Sequence, residues 1–312
     1  MRTRPLGSTS LVVTELGLGT WGLSGDAYGP VSEADRSRVI EQSLAVGIRL
    51  FETADCYGSG AMERLLGERV PREGTVVVTK IGTRLDAEPV RKDFSPAYLK
   101  EAFERSRERL QRETVDCVLL HNPSSAALAR DEVAGVMKEL QASGAVRAWG
   151  ASTGAPHAAR AAIRAGAQVL QVPYNLFHRN ELERIQTEVV HRKVGLLARS
   201  VLAHGLLCGT WPATREFGIG DHRRDRWTKD TLRRRLRQLV AMKPLVSDDV
   251  PSLRSVALRY VLANEAVSAA VLGPRTPFQL AQLVREAGKP PYLPSERLEL
   301  LKERLSEAGV ET

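Results

Sequence analysis

The chain has 312 residues and a formal net charge of +8, with 43% hydrophobic and 26% charged residues, a composition typical of a globular protein. The three cysteines, Cys56, Cys117 and Cys208, are too isolated to form a disulfide framework or a zinc site, which favours a reducing cytoplasm. Nothing approaches about eighteen uninterrupted apolar residues, and the first ten residues lack an apolar signal core. We therefore expect neither export nor a membrane span.

Short runs rich in β-branched residues alternate with long helical patterns along the whole chain. Alternation of this kind predicts parallel strands, because a parallel pair needs a crossover connection. Runs such as VVVTK and DCVLLH are continuously apolar, which is typical of strands buried on both faces. The eight runs are Glu15–Thr20, Ile48–Thr53, Thr75–Ile81, Val115–His121, Val146–Ser152, Ala167–Val172, Val194–Ser200 and Val267–Gly273. The sequence thus predicts an α/β fold, a (β/α)8 TIM barrel, as a single domain over residues 1–312.

Several local signals mark the ends of the other elements. Ser32 with Asp35 predicts a capping box that opens the first helix, and Ser95 followed by Pro96 predicts an N-cap with proline at the first helical position. Residues 2–19 read as an N-terminal β-hairpin that precedes the first barrel strand. The stretch from His204 to about Arg226 is the longest irregular segment, and we interpret it as a functional loop.

The segment Gly17–Gly22 matches the G-x-G-x-x-G pattern of dinucleotide-binding folds. That pattern binds a pyrophosphate only when a helix begins at its glycines. Here a loop follows, and the helical pattern begins only near Ser32. We therefore assign these glycines to a strand end where the backbone lies close to a ligand.

Four polar residues fall at or just after the ends of three successive predicted strands. Asp55 and Tyr57 follow the second strand, Lys80 ends the third and His121 ends the fourth. The carboxyl ends of barrel strands carry the active sites of such folds. Each of these residues alone is also common in a packing or capping role, but together they suggest proton transfer.

The chemistry of these four side chains suggests a role for each. Tyr57 would be a general acid, and the Lys80 ammonium would lower its pKa from the free value of about 10. Asp55 would hold Lys80 charged and oriented. His121, as a neutral donor, would orient a substrate carbonyl. No side chain supplies a hydride, so a reduction would need a cofactor.

Eight motifs occur along nearly the whole chain: GLGTWG, GIRLFETADCYGSGAMERLLG, VVVTKIG, VDCVLLHNP, GAVRAWGAS, LQVPYNL, ARSVLAHGLLCG and LGPRTPFQL. On these motifs the chain resembles the aldo-keto reductases. The resemblance implies NAD(P)H-dependent reduction of a small aldehyde or ketone, with NADPH usual and NADH possible. It also implies a catalytic tetrad, which we place at Asp55, Tyr57, Lys80 and His121.

The resemblance further implies a set of cofactor-binding residues. The nicotinamide end would lie beside Gly19, Thr20, Trp21, Asp55, Ser152 and Gln171. The remainder of the cofactor would contact Arg199, Ser200, Leu202, Gly205, Gly273, Arg275, Thr276 and Gln279. Arg275 suits a 2′-phosphate because a guanidinium binds phosphate oxygens in a forked geometry. The substrate would contact Trp21, Tyr57, His121 and Asn122.

Three positions depart from the family pattern. Thr153 stands where an asparagine is common, Arg199 where many members stack an aromatic ring on the nicotinamide, and Leu283 where an asparagine contacts the adenine. A planar guanidinium can stack in place of a ring, so the Arg199 departure changes the surroundings of the nicotinamide without abolishing binding. The Leu283 departure leaves the preference between NADPH and NADH open.

The stretch Arg223–Arg237 is the most basic in the chain and carries leucines at helical spacing. It predicts an amphipathic helix with a solvated basic face, or else a substrate loop that favours anionic substrates; we expect no nucleic-acid partner. The histidines outside the tetrad show no metal-ligand spacing, and we expect no metal. Two other functions remain open: an NADP-binding redox-sensing regulatory subunit, which would turn over very slowly, and a sugar dehydrogenase working oxidatively. The sequence does not indicate the oligomeric state.

Overall fold

Eight parallel strands close into a barrel in the computed structural model, which describes residues 1–310. In chain order the strands β1 to β8 are Leu16–Gly19, Leu50–Glu52, Val76–Ile81, Val115–His121, Val146–Ser152, Val169–Pro173, Gly195–Arg199 and Ala269–Leu272. Each strand pairs with the next along the chain, and β8 closes the ring on β1, with Ala270 opposite Leu16. Seven of the eight predicted runs contain one of these strands, and the sixth run, Ala167–Val172, overlaps β6, which extends to Pro173, so the predicted barrel is confirmed.

The barrel strands are buried on both faces, as their continuous apolar runs predict. One buried cluster fills the barrel interior, and a second, much larger cluster lies between the strands and the surrounding helices. The interior cluster comprises Leu6, Leu11, Val13, Leu50, Val76, Val78, Cys117, Leu119, Ala148, Val169, Leu197, Ala269 and Val271. In β2, Leu50 belongs to the interior cluster and Phe51 to the outer one. The alternation of a strand therefore directs Glu52, the next residue, into the barrel.

Thirteen α-helices lie within the described residues. They are α1 to α13: Glu33–Ala45, Ala61–Arg69, Pro96–Leu110, Ser125–Leu128, Asp131–Ala142, Pro156–Ala165, Asn180–Glu183, Gln186–His191, Arg223–Arg226, Lys229–Ala241, Leu253–Ala263, Pro277–Glu286 and Ser295–Glu307. The Ser32 hydroxyl accepts the Asp35 N–H at 3.1 Å, as predicted. Ser95 is the N-cap residue of α3 with proline next, but its side chain accepts no cap hydrogen bond. The Asp93 carboxylate instead accepts the Ser95 N–H at 2.9 Å.

A β-hairpin closes the N-terminal mouth of the barrel. Its strands, Thr3–Pro5 and Val12–Thr14, pair antiparallel, as the sequence predicts. Three of its residues, Leu6, Leu11 and Val13, belong to the barrel-interior cluster. Ser8 N–H also donates to Lys193 O at 2.7 Å. The hairpin thus seals the end of the barrel opposite to the carboxyl ends of the strands.

The Gly17–Gly22 segment continues from β1 into a 3₁₀ turn over Trp21–Leu23, and the first α-helix begins only at Glu33. No helix begins at these glycines, which confirms the prediction that they end a strand. Two further 3₁₀ segments cover Ala203–Cys208 and Lys243–Leu245, and a small hairpin after β3 joins Thr83–Arg84 to Arg91–Lys92. Across residues 1–310, none of the helices is both long and apolar enough to traverse a lipid bilayer.

The basic stretch divides into two parts with different surroundings. Arg223 and Arg226 belong to the short α9 and line a cleft described below, whereas the remainder forms most of α10. In α10, Leu232 and Leu239 are buried and the arginines between them face outward or are half-buried. The predicted amphipathic helix is confirmed for α10.

Candidate active site

The carboxyl ends of the barrel strands surround a cleft of about 1060 Å³, larger than the usual volume of a pocket for a single drug-sized molecule. Most of the predicted site residues line it. Those in the cleft wall are Gly19, Trp21, Tyr57, Lys80, His121, Asn122, Ser152, Gln171, Arg199, Ser200, Leu202, Gly205, Gly273, Arg275, Thr276 and Gln279. Two do not belong to the wall: Thr20 is fully buried against Thr53 at 3.0 Å, and Asp55 lies behind the surface of the cleft.

Lys80 and Tyr57 meet at the centre of this cleft. The Lys80 ammonium donates to the Tyr57 hydroxyl at 3.0 Å and to the Thr53 carbonyl at 2.8 Å. Lys80 is only 1% exposed, so its position is fixed by these buried partners. A phenol oxygen in contact with a buried ammonium is suited to exchanging a proton with a bound ligand.

The carboxylate that pairs with Lys80 is Glu52, and not Asp55, which was predicted for this role. Glu52 Oε1 forms an ion pair with Lys80 Nζ, and both side chains are almost fully buried. Asp55 Oδ1 is buried without any hydrogen-bond partner. The reason is the pleat of β2, which directs Glu52 into the barrel, whereas Asp55 lies beyond the strand end.

The electrostatic effect on Tyr57 also differs from the expectation. Burial raises the pKa of Tyr57 well above its usual value of 10, and the nearby Glu52 carboxylate raises it further. The expected lowering of the Tyr57 pKa by Lys80 is not found: burial has the largest effect, and Lys80 is paired with Glu52. The Tyr57 phenol is therefore a neutral proton donor.

His121 stands edge-on to Tyr57, with ring centroids 6.1 Å apart. Burial and the positive charges of Lys80, Lys92 and Arg199 lower the pKa of His121 well below 6.5, so the imidazole is neutral. Its Nδ1 lies 3.4 Å from the Thr83 hydroxyl and 3.6 Å from the Cys56 sulfur. A neutral imidazole beside a neutral phenol gives two donors for one ligand oxygen.

A buried chain of hydrogen bonds links the middle of the barrel to this centre. Ser152 Oγ donates to Gln171 Oε1 at 2.9 Å, and Gln171 Nε2 donates to Glu52 Oε1 at 3.0 Å. Gln171 is fully buried. The amide predicted to contact the nicotinamide is therefore also fixed to the carboxylate that holds Lys80.

The loop after β7 has the geometry of an anion site. Ser200, Ala203, His204 and Gly205 all have positive φ, between 46° and 98°. Runs of such conformations form concave nests of N–H groups that bind anions. Across the cleft, Arg275 donates to the carbonyls of Gly29 and Pro30 at 2.9 and 2.8 Å, and its Nε is buried without a partner. A pyrophosphate and a second phosphate group match these donors, so the residues present fit a nicotinamide dinucleotide.

Aromatic and basic side chains form the outer wall of the cleft. Trp21 lies 5.4 Å from Tyr28 and 4.6 Å from His222, measured between ring centroids. Tyr28 is hydrogen-bonded to His204 Nδ1 at 3.1 Å. Arg223 pairs with Asp221 at 2.5 Å and stacks on Tyr28 at 4.6 Å, which fixes the loop after β7 against the loop after β1.

Sequence reasoning missed several of these residues. Glu52 was detectable in principle, because it follows an inward-facing Leu50 by two positions. Arg223 begins the basic stretch for which a substrate loop was considered, whereas no local pattern distinguished His222 from the other polar residues of the loop that was interpreted as functional. Cys56 and Arg254 also line the cleft without any signal in the sequence.

Comparison with known proteins agrees with the chemistry of this site. The sequence model of the Aldo/keto reductase family matches residues 15–303. The chain is 29% identical over 301 residues to the aldo-keto reductase YhdN of Bacillus subtilis (strain 168), covering 92% of this chain and 89% of that protein. It is 26% identical over 294 residues to the uncharacterized oxidoreductase YqkF of the same organism, covering 92% and 91%.

Two solved structures share the fold closely. The glycerol dehydrogenase AKR11B4 from Gluconobacter oxydans matches with a TM-score of 0.87 and 26% identity, covering 99% of this chain and 97% of that one. The holo form of the aldo-keto reductase AKR11C1 from Bacillus halodurans matches with a TM-score of 0.83 and 25% identity, covering 97% and 96%. With a family match over most of its length, a closed barrel and a lysine-paired tyrosine in its cleft, this chain belongs to the aldo/keto reductase family of oxidoreductases.

Proposed function

We propose that this chain reduces an aldehyde or ketone to an alcohol with NADPH, and that Tyr57 is the general acid. The single observation that carries the proposal is the 3.0 Å contact between the Tyr57 hydroxyl and the buried Lys80 ammonium at the floor of the cleft. A bound reduced nicotinamide supplies the hydride, a chemistry that no side chain has.

Each residue of the centre has a separate task in this mechanism. The Tyr57 hydroxyl donates its proton to the carbonyl oxygen of the substrate as that oxygen gains negative charge. The neutral His121 imidazole donates a hydrogen bond to the same oxygen and orients it. Lys80 holds the Tyr57 hydroxyl and stabilises the phenolate that remains. Glu52 is a positioning residue, which acts through Lys80.

The cofactor would extend along the cleft from the centre of the barrel to α12. Gly19, Trp21, Ser152 and Gln171 would lie beside the nicotinamide, and the nest at Ser200–Gly205 would hold the pyrophosphate. Gly273, Thr276 and Gln279 would hold the adenosine. Arg275 lines this end of the cleft, and its guanidinium would bind a 2′-phosphate, which favours NADPH over NADH.

Replacement of the acid tests the mechanism. Tyr57→Phe should abolish NADPH-driven reduction across a panel of aldehydes, ketones and sugars, followed by NADPH absorbance. It should leave NADPH binding intact, measured by fluorescence titration, because only the proton donor is removed. The matched control is Tyr174→Phe, a buried tyrosine that contacts Tyr260 outside the cleft and should retain activity. Wild-type turnover by Tyr57→Phe would refute the assignment.

A second candidate is oxidation of a polyol or sugar, since one of the similar structures is described as a glycerol dehydrogenase. The same residues serve both directions, with the Tyr57 phenolate then accepting the proton. Its raised pKa disfavours the phenolate near neutral pH. Comparison of kcat/KM for NADPH-driven reduction and NADP⁺-driven oxidation at neutral pH decides between the two.

A further inference from the structure

Three side chains of different chemistry converge beside the catalytic centre, two of them, Cys56 and His121, in the cleft wall and the third, Asp55, behind it. Asp55, Cys56 and His121 each offer one ligand atom, and these atoms all lie within 4.8 Å of one another. We propose that they form a binding site for a thiophilic divalent metal ion, with Zn²⁺ as the natural ligand, and that its occupation inhibits the enzyme. The metal site stands independently of the proposed function, whereas the inhibition rests on it.

The geometry of the sulfur and nitrogen already matches zinc. Cys56 Sγ lies 3.6 Å from His121 Nδ1. A tetrahedral zinc ion with a Zn–S distance of about 2.3 Å and a Zn–N distance of about 2.0–2.1 Å separates its sulfur and nitrogen ligands by about 3.6 Å. The carboxylate of Asp55 needs to approach by at most about 1.4 Å to complete a three-ligand set. A fourth position facing the cleft would be taken by water.

The carboxylate supplies a second, independent indication. Asp55 is only 8% exposed, and its Oδ1 is buried with no hydrogen-bond partner. A buried carboxylate oxygen without a partner is costly unless something satisfies it. A metal ion bound at this position would give that oxygen a partner.

The ligand set also selects the metal. One thiolate, one imidazole and one carboxylate suit zinc, whereas magnesium and calcium prefer oxygen ligands alone. Cys56 and His121 line the cleft, so an ion can reach them from solvent. Lys80 and Lys92 lie near enough to oppose a cation, and Glu63 favours it. These opposing charges favour a reversible, inhibitory site over a permanent structural one.

Occupation should inhibit through the position of two catalytic groups. His121 would be a metal ligand through Nδ1, and Cys56 is the chain neighbour of Tyr57. Contraction of the three ligands around an ion therefore moves the imidazole and the phenol relative to Lys80. A displacement of about 1 Å in a catalytic group lowers turnover by about 100-fold.

The experiment uses Co²⁺ as a spectroscopic probe of the full-length protein without affinity tag, followed by Zn²⁺ inhibition of reduction. Wild type should show a thiolate-to-cobalt charge-transfer band at one equivalent, and Zn²⁺ should displace the Co²⁺ and slow reduction at least about tenfold, reversibly with a chelator. Cys56→Ser should lose the charge-transfer band and most of the Zn²⁺ sensitivity. Asp55→Asn, which keeps both other ligands, should retain a band but bind Co²⁺ more weakly.

The matched control is Cys208→Ser, which removes the other cysteine of the cleft and should behave as wild type toward both metals. A wild type without the band, a band that survives Cys56→Ser, or a band lost in Cys208→Ser would overturn the site. If no reductase activity is found while the Cys56-dependent band persists, the metal site stands and the proposed function fails. A Cys56-dependent band without inhibition of an active enzyme would refute the inhibitory role alone.

Discussion

Glu52 and Asp55 lie three residues apart, and amide replacement should affect the two in opposite ways. Lys80 and Glu52 are 1% and 5% exposed and form a buried ion pair. Glu52→Gln leaves the Lys80 ammonium buried without a counter-charge, which costs about 3–5 kcal/mol. For a chain of 312 residues this loss corresponds to a fall of about 5–8 °C in Tm.

Asp55→Asn should instead stabilise the protein, and this stabilisation should be present near neutral pH and absent at acidic pH. The pKa of Asp55 is raised from 3.8 to about 7, so the folded state favours the protonated acid. The stability that protonated Asp55 contributes to the folded state is fully present below pH 3.8 and is lost as the pH rises through about 7. A pKa difference of about 3 corresponds to about 4 kcal/mol at higher pH. The asparagine variant, which does not ionise, avoids this loss.

Differential scanning calorimetry of both variants and wild type between about pH 4 and pH 8 measures these effects. We expect Glu52→Gln to melt below wild type throughout. We expect Asp55→Asn to match wild type near pH 4 and to melt several degrees above it near pH 8. A pH-independent destabilisation by Asp55→Asn, together with a wild-type Tm for Glu52→Gln, would refute the Glu52 assignment and restore Asp55 as the partner of Lys80.

Three further predictions follow from single features of the structure. The pKa of Tyr57 is raised above 10, so the rate of reduction should fall only above that pH, whereas the rate of oxidation, which needs the phenolate, should still be rising there. Profiles of kcat against pH in both directions measure these two rates. An oxidation rate that already reaches its plateau below neutral pH would contradict the raised pKa. Arg275→Met should raise KM for NADPH by about 10–100-fold and leave KM for NADH nearly unchanged, since only NADPH carries the 2′-phosphate; an equal effect on both would exclude that contact. Gly150→Ala would place a methyl carbon 1.7 Å from the Val169 carbonyl oxygen and should abolish soluble expression, whereas Gly135→Ala, with nothing within 4 Å in α5, should stabilise by roughly 0.5–1 kcal/mol in denaturant unfolding.

The fold was predictable because its signals are local and repeated. Strands buried on both faces must be continuously apolar, and runs such as those in β3 and β4 have this property in the sequence. The N-terminal hairpin and the Ser32 cap also follow from short patterns. Ser95 shows the limit of such patterns, because the Asp93 side chain, two residues earlier, holds the Ser95 N–H.

The sequence predicted most residues of the site correctly, but it did not predict their ion pairing or the direction of the pKa shift of Tyr57. Strand ends identified Tyr57, Lys80 and His121, which do meet in the cleft. The choice between Glu52 and Asp55 depended on which of them is the last residue of β2 with its side chain directed into the barrel, and a sequence does not define the ends of strands sharply. The direction of the pKa shift of Tyr57 depended on burial, which no local pattern reports.

The proximity of Cys56 and His121 was beyond reach for a different reason. The two residues are separated by 65 positions and approach only because the loop after β2 reaches across β3 to the end of β4. Spacing rules for metal ligands apply to residues on one turn, helix or hairpin, and they do not detect ligands from separate barrel strands.

The hairpin that plugs the barrel has a practical consequence for handling the protein. Met1 lies on the face opposite the cleft, where it is 45% exposed beside Gly47. A linker attached at Met1 would emerge away from the mouth of the cleft. Coupling through it to a sensor chip or resin would therefore present every molecule with its cleft toward the flowing solution.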